Sequence, residues 1–192
     1  MKKLIVILAA IVVISAGIFL IIDLYPKDVN IHAQGLKYRL GTSDKGEEKF
    51  VNVDIEGKVH KSITGKRTFT GQVNIEGEEI PVPEDQRTLK DVPMMDGNLI
   101  ALMYPFFKYN SQNGAVISSG SYHYGMLAFS SDFSQATILL AEPPQDGQKE
   151  GSYESWNGDY GRMVTVPASN RDDAIRITNE LLKETYRGYK FK

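Results

Sequence analysis

Cysteine is absent from the chain. That excludes disulfides, thiolate nucleophiles, cysteine-ligated zinc and a lipid carried on a cysteine, so any folded part must be held by its apolar core. Histidine is scarce as well. His32, His60 and His123 are the only three, and no two stand at the three- or four-residue spacing that puts metal ligands on one helix face. No metal site and no cofactor is expected from this pattern. Neither the Gly-x-Ser-x-Gly nucleophile turn nor the phosphate-cradling Gly-x-x-x-x-Gly-Lys-Ser/Thr loop occurs. Long runs of like charge are missing too, and with a net charge of −2 there is no concentrated basic face for a nucleic acid.

What the chain does have is one long apolar run, Leu4 to Ile22, in which Ser15 is the single polar side chain, between Lys2-Lys3 and Asp23. As a helix it would be roughly 28 Å long, close to the thickness of a hydrocarbon core. Tyr25 suits a headgroup region and Pro26 ends the helix. No small-x-small cleavage site follows the run, so residues 1–27 read as an uncleaved signal-anchor, a single transmembrane helix. Lys2 and Lys3 predict a cytoplasmic N-terminus at the cell membrane. Residues 28–192 are then one extracytoplasmic domain of about 165 residues. The alternative is a secreted protein, cleaved after Ser15-Ala16-Gly17.

Beyond residue 27 the dominant period is two. Val51, Val53 and Ile55 alternate with polar residues, and the pattern returns as Val73-Asn74-Ile75-Glu76-Gly77. Two such copies suit consecutive arms of an antiparallel meander, with Gly65 supplying the positive φ of the turn between them. Asn98 to Tyr104 is the most apolar run of this part and predicts a central strand. One segment near the C-terminus has a helical period instead. Ala174, Ile177, Thr178, Leu181, Leu182 and Tyr186 fall near one face, with Ser169 as the expected cap and Gly188 as the stop. The expected class is α+β: a transmembrane helix, then one antiparallel sheet with a C-terminal amphipathic helix packed on it.

The lysine-led anchor, Lys66-x-x-Phe69-x-Gly71-x-Val73-x-Ile75-x-Gly77, Ser131-Asp132-Phe133-Ser134 and Val166-Pro167-Ala168-Ser169-Asn170-Arg171-Asp172-Asp173-Ala174 together resemble a group of small membrane-anchored extracytoplasmic proteins of Gram-positive bacteria. The resemblance implies a place at the outer face of a cytoplasmic membrane. It implies no activity.

Two groups of residues stand out as candidates. In the long polar segment from Glu142 to Gly161, Tyr153, Trp156 and Tyr160 recur among glycines. Flat amphipathic rings on an adaptable backbone are the material of contact surfaces. The second group is Tyr122-His123-Tyr124, where strand alternation puts both tyrosines on one face and His123 on the other. No catalytic set can be assembled around it. Adjacent acidic pairs such as Glu78-Glu79 point to opposite faces of a strand and do not form the facing carboxylates of a glycosidase. The expected function is a non-enzymatic envelope accessory or binding module, with an envelope protein, a peptide or a wall glycan as partner. The alternative is a cell-wall hydrolase or transferase with a site assembled from scattered residues.

Overall fold

A computed structural model describes residues 2–41, 48–142 and 156–192, with the side chains of the first helix described only in part. Among the described residues the chain forms a helix, α1 (Lys2–Leu24), then eight strands and a second helix. The strands are β1 (Lys27–Arg39), β2 (Lys49–Lys61), β3 (Arg67–Ile75), β4 (Leu89–Pro93), β5 (Leu99–Tyr109), β6 (Val116–Phe129), β7 (Ala136–Leu140) and β8 (Arg162–Val166). The second helix is α2 (Arg171–Leu181).

The strands form a single antiparallel sheet in the order β4-β3-β2-β1-β8-β7-β6-β5. Its outer strands, β4 and β5, are chain neighbours joined by a tight turn in which Met95 pairs with Leu99, so the sheet curls nearly into a barrel. Strands of 13 and 14 residues favour that shape, because right-handed twist accumulated over their length bends the sheet on itself. Val53, Ile55, Phe69, Ile100, Leu102, Leu127, Phe129, Ile138 and Val164 fill the interior.

A second apolar layer lies outside. There α2 sets Ala174, Ile177 and Leu181 against Leu36, Tyr38, Leu139 and Met163 on the outer faces of β1, β7 and β8. Four buried hydroxyls sit inside this layer. Tyr38 bonds Thr178 at 2.8 Å, and Thr137, Thr165 and Thr178 bond one another at 2.8 to 2.9 Å. Each therefore finds the partner that burial demands.

These observations correct the α+β class. The architecture is predominantly β, a near-barrel of eight strands, and an eleven-residue α2 covers only three of them. Interior side chains from all round the curl cover the inner face, so no helical layer is needed there. The transmembrane, signal-anchor reading is corrected as well. It rested on an uninterrupted count of apolar residues, whereas among the described residues no helix is long and apolar enough to cross a membrane. α1 is tied to the sheet at its C-terminal end by the ion pair of Asp23 with Lys61 of β2.

Smaller differences concern element ends and positions. Asn170, one residue after the expected Ser169, caps α2 by accepting from the Asp173 N–H, while the Ser169 hydroxyl donates to the Asp173 carboxylate. The helix stops at Leu181, short of Gly188. β5, expected to be central, ends the strand order.

Candidate functional site

In β1 the odd-numbered residues Val29 and Ile31 face the interior, and by the same alternation so do Lys37 and Arg39 at the strand's end. In β8 Arg162 shares the inward parity of Val164 and Val166. Glu142 continues the inward set Ala136, Ile138 and Leu140 just past β7, and Glu78 arrives from the turn after β3. Cross-strand pairing places these ends side by side, Arg39 opposite Arg162 and Arg162 opposite Leu140. Five charged side chains thus gather at one rim of the curled sheet.

They are paired within the rim. Glu78 accepts from Lys37 and, at 2.7 Å, from Arg162. Arg39 donates to Glu142 at 2.9 Å and to the Tyr160 carbonyl at 3.0 Å. Burial pushes the Glu78 pKa up. The hydrogen bonds from Lys37 and Arg162, together with their charges, outweigh it and hold the carboxylate below its ordinary range. Among the described residues three cations face two carboxylates, a formal excess of one positive charge.

Tyr124 lies beside this rim, its carbonyl accepting from the Ala141 N–H next to Glu142, and the rings of Tyr104 and Tyr122 pack with its ring. Leu102 pairs with Gly125 and Met103 with His123, so Tyr124 is an extra residue in β6, a bulge. Without it Tyr124 would lie on the face opposite Leu127. With it Tyr122 and Tyr124 join the inward face. Gly125 makes the bulge possible, since its φ is +145° and a Cβ there would stand 2.0 Å from the Leu139 carbonyl oxygen. The Tyr104 and Tyr124 rings pack edge to face at 6.3 Å, and those of Tyr122 and Tyr124 lie 6.1 Å apart.

The hydroxyls of Tyr104 and Tyr124 are the unusual feature. Both residues are buried, at 1% and 4% exposure, and neither hydroxyl has a hydrogen-bond partner among the described residues. Burial raises the pKa of both phenols, with the neighbouring Tyr122 adding to it at Tyr104 and Glu78 adding to it at Tyr124. They therefore stay neutral and able to donate. An unpartnered buried hydroxyl costs about 1–3 kcal/mol, so two in one cluster form a place where acceptor atoms are wanted.

The residues singled out from sequence are dispersed. Trp156 is half-buried over the outer layer, donating Nε1–H to the Arg162 carbonyl at 3.2 Å and packing with Tyr186 and Phe191 at about 6 Å. Tyr160 is exposed, and Tyr153 lies outside the described residues. Tyr122 and Tyr124 belong to the rim. His123, half-buried, points to the other face of β6, opposite Met103. His32 bonds Asp54 at 2.9 Å on the exposed face of β1 and β2. His60 pairs across with Thr68. No group of metal-ligating side chains occurs among the described residues.

Lys37, Arg39, Glu78, Glu142 and Arg162 were not identified as site residues from sequence. A signal existed in part. Lys37, Arg39 and Arg162 occupy the apolar parity of their own strands, which is where an inward-pointing charge betrays itself. Comparisons with protein families, with curated proteins and with solved structures found no match to this chain.

Proposed function

We propose that this protein is a non-enzymatic binding module, and that its ligand site is the rim where Lys37, Arg39 and Arg162 meet Tyr104, Tyr122 and Tyr124. The observation that carries this reading is the pair of buried tyrosine hydroxyls that have no partner among the described residues, beside a rim that gathers three cationic side chains. Among the described residues, donors exceed acceptors there. The complementary ligand presents a carboxylate or a comparable acceptor-rich anionic group, on an acidic peptide or on an acidic glycan.

Lys37 and Arg39, about a quarter exposed, are the groups through which such a ligand enters, exchanging their contacts with Glu78 and Glu142 for contacts with its anion. The electrostatics favour binding over hydrolysis or transfer. Glu78 is held ionised and cannot serve as an acid near neutrality, and phenols raised by burial are poor bases and poor nucleophiles.

The test is titration with poly-L-glutamate and with galacturonate oligomers, followed by calorimetry, on the wild type and on the double variant Tyr104→Phe/Tyr124→Phe. Binding of either probe that weakens at least tenfold in the double variant supports the rim, and the probe that binds identifies the ligand's source. Binding that is indifferent to both hydroxyls, or no binding of either probe, would overturn it.

A further inference from the structure

A second surface lies beside the rim and stands apart from the reading above. The Glu76 N–H donates to the Asn52 carbonyl, so the even-numbered residues of β3 turn their main-chain groups toward β2. The odd-numbered ones turn theirs the other way. Ile75 agrees with this, since its carbonyl accepts from Glu78 and not from β2. On that side β4 pairs with Phe69 and Gly71 and then leaves, because the chain before Leu89 swings out through a short 3-10 turn at Glu84–Gln86. The N–H and C=O of Val73, a residue 4% exposed overall, thus point to the side that β4 has left. Among the described residues no main-chain or side-chain bond reaches them from that side.

The edge faces a cleft of about 630 Å³ between Gln72, Val73 and Asn74 on one wall and Glu79, Glu84 and Arg87 on the other. That is within the range of ligand pockets, roughly 300–1,000 Å³. Glu79 and Glu84 are exposed and have no ion-pair partner among the described residues, whereas Arg87 spends its Nε–H on the Val82 carbonyl at 2.7 Å. Glu78, on the same wall, is already neutralised from the rim side. The uncompensated charge of the cleft is negative.

We propose that the open edge of β3 at Val73 is a strand-addition site for an extended peptide carrying basic side chains. One residue of the incoming strand exchanges both main-chain bonds with Val73, as an antiparallel hydrogen-bonded pair does. The neighbouring lysine or arginine side chains meet Glu79 and Glu84.

The experiment uses fluorescein-labelled Lys-Val-Lys-Val-Lys, blocked at its C-terminus, and the same peptide with Glu in place of Lys, by anisotropy on the full chain. The basic peptide is expected to bind at least tenfold more tightly than the acidic one. Val73→Pro removes the one N–H at issue without taking a bond from β2, at a position of β3 that β4 does not reach, though it also exchanges a core side chain. It is expected to weaken the basic peptide at least tenfold. Glu79→Lys/Glu84→Lys changes two exposed positions, keeps the fold and gives a loss of the same order, so the proposal remains testable if the proline variant does not fold. Tyr104→Phe/Tyr124→Phe is expected to leave this binding unchanged, which separates the cleft from the rim. Equal affinity for the two peptides, wild-type affinity in the Glu79→Lys/Glu84→Lys variant, or no binding of the basic peptide at millimolar concentration would overturn the proposal.

Discussion

Tyr124→Phe is the substitution on which the rim stands or falls. It deletes one oxygen and leaves the ring, so the contacts with Tyr104 at 6.3 Å and Tyr122 at 6.1 Å survive in kind. What disappears is a hydroxyl that is buried and has no partner among the described residues. Leaving such a group buried costs about 1–3 kcal/mol, set against a small loss of dispersion contact, so the variant is expected to be more stable by about 1 kcal/mol. For a chain of this size that is roughly 2–4 °C in melting temperature. Urea denaturation reads it directly: the midpoint rises while the slope stays constant, because the surface exposed on unfolding is nearly unchanged. A gain in stability joined to a loss of ligand binding is the signature of a polar group kept for function. A loss of 1 kcal/mol or more would show that the hydroxyl already has a partner, an ordered water included, and the case for a ligand acceptor there would be gone.

Gly125→Ala should lose about 3–5 kcal/mol, since its φ of +145° and the 2.0 Å approach to the Leu139 oxygen leave no room for a methyl group; thermal melting of the variant measures it. Trp156→Ala should cost roughly 2–3 kcal/mol in urea, as expected for a half-buried ring packed on Tyr186 and Phe191, and a change below 0.5 kcal/mol, about the size of a surface substitution, would put the ring outside the outer layer. Stability should also depend on pH at both ends of the scale. Glu78, lowered in the fold, contributes stability that is present above the ordinary glutamate value of about 4.3 and is lost as pH falls through its folded value; Glu78→Gln should flatten that acid limb. Tyr104 and Tyr124, raised in the fold, contribute stability that is complete below about pH 10 and is lost as pH rises through their folded values, so their phenolate absorbance should appear together with unfolding and not before it.

Much of the strand structure is legible in the sequence, because alternation at a period of two is a local property. Val51, Val53 and Ile55 are buried in β2, Val73 and Ile75 in β3, and the two strands pair with Val53 opposite Ile75 and Ile55 opposite Val73. The helical period of Ala174, Ile177, Thr178 and Leu181 was likewise local, and all four are buried in α2. Sequence periodicity carries such information because each element must bury one face. The position of the cap was missed by one residue, since Ser169 and Asn170 are both competent and only the path of the chain after β8 chooses between them.

The curl of the sheet was not legible. Nothing local to β4 or β5 says that the first and last strands in the order meet at the turn between Met95 and Leu99, nor that interior side chains then make a second covering layer unnecessary. The rim was hidden for the same reason. Lys37, Glu78, Glu142 and Arg162 are far apart in the chain and become neighbours only when strand register brings the ends of β1, β7 and β8 to one level. Tyr124 was assigned correctly to the face of Tyr122 by simple alternation, but that this face is the interior depends on a bulge created by pairing with β5. Composition and periodicity therefore determined which residues had to be buried and in what kind of element. Tertiary structure alone decided which buried polar groups would meet, because register and closure are set by partners distant in sequence, and among the described residues it left two hydroxyls without one.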